Sequence, residues 1–139
     1  MVWMDADDYW LPWFLDVMAS HAERNDGVIF SDLILDNDGL KIYRYPDFDS
    51  TRVPTTMQYP GSSIFTPRRI ADAVATLQGG FDASAPGMED WDYQMAVHHL
   101  GFCAYRVSEP LFVYRMKTST KREKDFGKID SIRASVGIS

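Results

Sequence analysis

Three carboxylates stand within four residues at Asp5-Ala6-Asp7-Asp8, directly after the apolar stretch Met1-Val2-Trp3-Met4. Carboxylates this close repel one another, so the cluster calls for a compensating cation. Two alternate Asp residues suit a hard divalent ion, with one carboxylate on the metal and the other on its waters or on ligand hydroxyls. Residues 1–4 read as the end of a buried strand, and open α/β sheets bind ligands at the carboxyl ends of their strands. The plainer alternative is that Asp8 caps the helix that follows. A second acidic group, Glu89-Asp90-Trp91-Asp92, opens a helix after Pro86-Gly87-Met88. Acids there complement the helix dipole. A carboxylate at the end of a glycine-containing loop can equally serve as a general base. Gly79-Gly80-Phe81-Asp82 and Gly61-Ser62-Ser63 are either plain turns or places where backbone approaches a ligand closely. Arg115 and Lys117 share a face if residues 111–116 form a strand, and together can meet a diphosphate.

Other signals fail on geometry. Asp36-Asn37-Asp38-Gly39 looks like a calcium loop, but with Gly39 as its sixth position the first and twelfth fall on Ile34 and Tyr45, neither a carboxylate. His98 and His99 are helix neighbours that point about 100° apart and cannot both face one metal. His21 and Cys103 have no partners at a ligand spacing.

These groups need elements to hold them. Residues 11–24 predict a helix with Pro12 in its first turn and Leu11, Phe14, Leu15, Met18 and Ala22 on its apolar face. Residues 28–35 and 40–45 predict a hairpin around Asp36-Asn37-Asp38-Gly39. Residues 46–60 carry three prolines and predict a long loop of the kind that often forms a lid. A helix follows Thr66-Pro67 to about Gln78, with Ile70, Ala73, Val74 and Leu77 inward. The helix opened by Glu89 buries Tyr93, Ala96, Val97 and Leu100 and ends at Gly101. Residues 102–107 and 111–116 predict two further strands.

The 139 residues amount to one domain, with 45% hydrophobic and 24% charged residues. No apolar run approaches the ~20 residues of a membrane span, and the amino terminus lacks the basic and apolar regions of a signal peptide. One cysteine excludes an internal disulfide. Of the 20 acids, 16 are Asp, the acid of caps, turns and metal sites. Residues 1–110 carry net −10 and residues 111–139 net +4. The acidic body argues against general nucleic-acid binding, and the basic tail suits phosphate, an acidic surface or a membrane face.

The order of these weak motifs is more specific than any one of them. An apolar strand into Asp-Ala-Asp-Asp, a helix, a hairpin, Gly-Ser-Ser before a helix, Gly-Gly-Phe-Asp, Glu-Asp-Trp-Asp on a helix and Pro110-Leu-Phe-Val-Tyr-Arg115 resembles the second half of a family 2 glycosyltransferase with the GT-A fold. The resemblance covers about residues 2–120. It implies an α/β fold, a GT-A-like mixed sheet flanked by helices and present in part, over residues 1–116, with a basic tail over 117–139. It implies transfer of a sugar from a nucleotide-diphosphate sugar to an acceptor hydroxyl with inversion, in glycan or polysaccharide biosynthesis. By resemblance Asp7 would ligate Mg²⁺ or Mn²⁺ and Asp5 would hold the ribose or bound waters. Asp90 would be the general base and Glu89 its support or an acceptor ligand. Gly80 and Asp82 would line the acceptor pocket, and Trp91 would pack beneath it. Arg115 and Lys117 would face the donor, with Lys117 standing where a His is common.

The resemblance also implies that the nucleotide-binding first half is missing, so that an amino-terminal segment or a second chain would complete the fold. The partners expected are the donor and a glycan or lipid-linked acceptor, not nucleic acid, in the cytoplasm or at the inner face of a membrane. Two other readings stand beside this one: a non-catalytic module that binds a sugar, a nucleotide or a partner chain, and a remnant that self-associates through a sheet edge.

Overall fold

The computed structural model describes residues 1–78 and 89–116, with the side chains of Gln78 and Glu89 excepted. Gly80, Asp82 and Lys117 lie outside the described residues, as does the basic tail. The architecture is mixed α/β, a four-stranded mixed sheet with three helices. In chain order these are β1 (Tyr9–Trp10), α1 (Phe14–Arg24), β2 (Gly27–Asp36), β3 (Leu40–Tyr43), α2 (Arg68–Gln78), α3 (Glu89–His99) and β4 (Cys103–Arg115). The sheet order is β1-β4-β2-β3, with β2 and β4 parallel and the outer pairs antiparallel.

Both faces of β2 are covered, which is why it reads as one apolar run rather than as an alternation. Val28 and Phe30 point to one face and pack with Ile70 and Val74 of α2 and with Tyr93, Ala96 and Val97 of α3. Ile29 and Leu33 point to the other and pack with Phe14 and Met18 of α1. Helix α1 starts at Phe14, later than its apolar spacing predicts, because the backbone N–H of Leu11 extends the β1–β4 ladder to the Leu111 carbonyl (2.9 Å). Leu15 is consequently 52% exposed and not part of the buried face. Gly101, at φ +85°, closes α3 as expected, with its N–H on the His98 carbonyl and that of Phe102 on the Val97 carbonyl.

Three expectations are corrected. Residues 1–4 are not a buried strand: Met1 and Met4 are exposed, and only Val2 forms a bridge, antiparallel to Phe65. Residues 102–107 and 111–116 are not two strands. Pro110 is absorbed by register shifts, with Ser31 opposite Val107, Asp32 opposite Pro110 and Leu33 opposite Phe112, so β4 runs on through a bulge. Residues 46–60 are not an open lid. The Trp91 indole N–H donates to the Val53 carbonyl (2.9 Å), the Gln94 amide donates to the Tyr59 carbonyl (2.6 Å), and Gln94 Oε1 accepts from the Gln58 N–H (3.0 Å). With that loop on its outer side, α3 is buried at every residue from 91 to 97, polar Asp92 and Gln94 included.

Among the described residues three carboxylates are buried, those of Asp8, Asp32 and Asp92, and Asp32 is the most enclosed. Asp32 is 0% exposed. Its carboxylate takes two bonds from Arg106 (Nε 2.9 Å and Nη2 2.8 Å), one from the Tyr45 N–H (2.9 Å) and one from Arg44 Nη1 (3.3 Å). The pair raises the affinity of Arg106 for its proton further, chiefly through these bonds. Removing one partner of a buried pair strands the other. Arg106→Ala, which leaves the fully buried Asp32 carboxylate without its main partner, is therefore expected to cost about 3 kcal/mol in denaturant unfolding, and a loss under 1 kcal/mol would contradict this role.

Burial also lifts the phenols of Tyr45 and Tyr59 well above their ordinary 10.0. The folded state then holds these protons more tightly than the unfolded state. The stability this contributes is complete below pH about 10 and is lost as the pH rises further. In an alkaline titration these two phenols should ionise only together with loss of circular dichroism; full phenolate absorbance from a folded chain would overturn the assignment.

Candidate functional site

Asp5 is exposed, Asp7 half-buried and Asp8 buried, in a turn closed by the Asp8 N–H on the Asp5 carbonyl (3.2 Å). Asp8 does not cap α1. The residue before that helix is Trp13, which makes no side-chain cap bond. Instead the Asp8 carboxylate accepts the backbone N–H of Arg115 (3.0 Å). That bond brings the acidic turn to the carboxyl end of β4, where the Arg115 guanidinium lies over the Tyr9 ring (5.4 Å to its centroid) and 3.9 Å from the Asp36 carboxylate. Arg115 and the acidic turn thus share one end of the sheet.

The acidic turn is bracketed by two tryptophans, and both reach the same short segment, residues 61–63. The Trp3 indole N–H donates to the Gly61 carbonyl (3.0 Å), and the Trp10 indole N–H donates to the Ser63 hydroxyl (2.9 Å). The Ser63 backbone N–H in turn donates to the Trp3 carbonyl (2.8 Å). Ser63 is fully buried at φ +58°, a left-handed conformation that costs a non-glycine residue energy. The bonds at its N–H and its hydroxyl hold it there.

Asp90 meets the same segment. It is the second residue of α3, half-buried, and its side chain lies directly against Gly61. A Cβ built on Gly61 would stand 2.6 Å from Asp90 Cβ and closer still to the carboxylate. Trp3 also packs edge-on against Tyr93, one helical turn beyond Asp90, with ring centroids 5.3 Å apart. The stretch that leads into Asp5 and Asp7 and the start of the helix that carries Asp90 therefore meet across Gly61.

Trp91, next to Asp90 in α3, is a buried anchor. It is 3% exposed and its indole N–H is taken by Val53, so it anchors the 46–60 loop. The sequence reading flagged Gly61 as a point of close approach, and the group that approaches is a carboxylate of the chain itself. It missed Trp3 and Trp10. The available signal was the placing of two tryptophans on either side of an acidic turn.

Among the described residues no three His, Cys, Asp or Glu side chains converge as a metal cage. A divalent ion held by one or two carboxylates and otherwise by phosphate oxygens and water needs no such cage, and Asp5 and Asp7 suit that kind of site. A separate open hollow of about 450 Å³, bordered by His21, Asn25, Phe48, Cys103 and Arg106, lies by the start of β4, at the opposite end from Arg115. None of the acidic candidates borders it. No helix among the described residues is long and apolar enough to cross a membrane.

Loss of the Asp8 carboxylate should free the end of β4. Asp8→Ala is expected to speed amide exchange at Arg115 roughly 10- to 100-fold while leaving Val28 protected; unchanged exchange at Arg115 would contradict the bond. No protein-family model matches the chain, and no curated protein matches it.

Proposed function

We infer that the chain carries the acceptor-activating and metal-binding part of a glycosyltransferase of the family 2 type, with a partial GT-A fold. It would act on a nucleotide-diphosphate sugar and an acceptor hydroxyl, with inversion at the anomeric carbon. The observation that carries this reading is that Trp3 and Trp10, which flank the Asp5–Asp8 turn, and Asp90 all contact the one short segment 61–63. Two acidic groups about eighty residues apart in sequence have no structural need to share one short turn.

In this reading the acceptor oxygen attacks the anomeric carbon as the bond from that carbon to the diphosphate breaks. The hydroxyl proton passes to the Asp90 carboxylate, a fixed base at the amino end of α3. The electron pair of the broken bond leaves with the nucleoside diphosphate. A bound Mg²⁺ or Mn²⁺ would offset the charge that gathers on that leaving group. Asp7 would hold the ion, Asp5 its waters or the ribose, and Arg115, at the same end of the sheet, would face the diphosphate. Fixing both reactants in line supplies the remainder. Glu89, Gly80, Asp82 and Lys117 keep the roles that the resemblance gives them.

Thermal melting with Mn²⁺ and a panel of nucleotide-sugars tests the binding half of this reading. A rise in melting temperature that needs Mn²⁺ and is lost in Asp7→Ala is the expected result. No shift with any donor would favour a remnant without a donor site. For the chemistry, Asp90→Asn should lower transfer at least about 100-fold with little change in donor affinity. Equal losses of binding and turnover would remove Asp90 as the base.

A further inference from the structure

Among the described residues the glycines at positive φ are Gly39 and Gly101, so Gly61 is not there to supply a positive φ. Glycine costs chain entropy on folding, so its presence at an ordinary φ needs another cause. The cause on view is space. Where a side chain would begin, the Asp90 carboxylate already lies. The carbonyl of the same residue is held by Trp3, and Ser63, two residues on, is held by Trp10 and by the Trp3 carbonyl.

The geometry points to Gly61 as a positioning residue for Asp90, with Trp3 and Trp10 fixing that turn against the acidic loop. Any side chain at position 61 swings the carboxylate away, and loss of either indole bond lets the turn slide between the two acidic groups. The inference rests on the reading of Asp90 as the base for its meaning, but its geometry can be tested without an activity assay.

The test is a double-mutant cycle in the full chain. Gly61→Ala should lower the melting temperature by roughly 5 °C. In an Asp90→Gly background, which removes the Asp90 Cβ as well as its carboxylate, the same substitution should cost less than half as much. Equal losses in the two backgrounds overturn the proposal. If Gly61→Ala alone does not fold, a folded double variant supports it, and failure of both overturns it.

A second readout separates positioning from general damage. The ¹³C carboxyl resonance of Asp90, assigned by its absence in Asp90→Asn, should move in Gly61→Ala and in Trp3→Phe. It should stay in place in Leu33→Val, a core change on the other face of the sheet. A resonance that moves in all three, or in none, overturns the positioning role. Transfer activity that survives Asp90→Asn would remove Asp90 as the base yet leave the cycle's outcome unchanged, so the two ideas fail separately.

Discussion

A carboxylate sealed from water has to be neutralised where it sits, and much of this fold follows from how Asp32 is neutralised. Its cost in isolation would be several kcal/mol. Arg106 comes from the neighbouring strand, so the β2–β4 pairing is fixed by charge as well as by backbone bonds. The β4 bulge falls between Val107 and Phe112, directly beyond Arg106. Arg44 and the Tyr45 N–H come from the end of the hairpin, so the chain must enter the 46–60 loop over the helical face of the sheet. There the loop reaches Trp91 and Gln94, which settles the seat of α3 and with it the position of Asp90. This buried charge thus begins a chain of contacts that ends at the proposed site.

At that end the decisive feature is a turn with almost no side-chain bulk. Residues 61–63 accept two indole N–H groups and lie against a carboxylate. Tryptophan serves here because its ring packs in the core while its N–H still needs an acceptor. The Trp10 ring stacks on Phe14 at 4.5 Å, so the same residue seats α1 and grips Ser63. The acidic turn is held by groups that come before and after it, leaving Asp5 exposed and Asp7 half-exposed while Asp8 is committed to Arg115.

Where local pattern and tertiary context agree, the sequence was legible. The three helices, the hairpin with its Asp38-Gly39 turn at φ +54° and +135°, and the Gly101 stop all followed from propensity and periodicity. The errors share a physical cause: partners distant in sequence. Pro110 reads as a strand break because nothing nearby announces that β2 will tolerate a shifted register around Asp32. Residues 46–60 read as a lid because a loop's own composition does not reveal that Trp91 and Gln94 will receive it. Asp8 reads as a helix cap because its real partner is Arg115. The acidic groups were legible as candidates, yet Trp3 and Trp10 were not, since an indole N–H leaves no pattern that marks its acceptor.

The bond from Asp8 to the Arg115 N–H spans 107 positions of the chain. Contacts of such high order form late, because a wide loop must close before they repay its entropy. On the ribosome Asp8 must wait until the strand that carries its partner has emerged. Until then Asp8 has no fixed seat, and the acidic turn settles only once β4 has arrived.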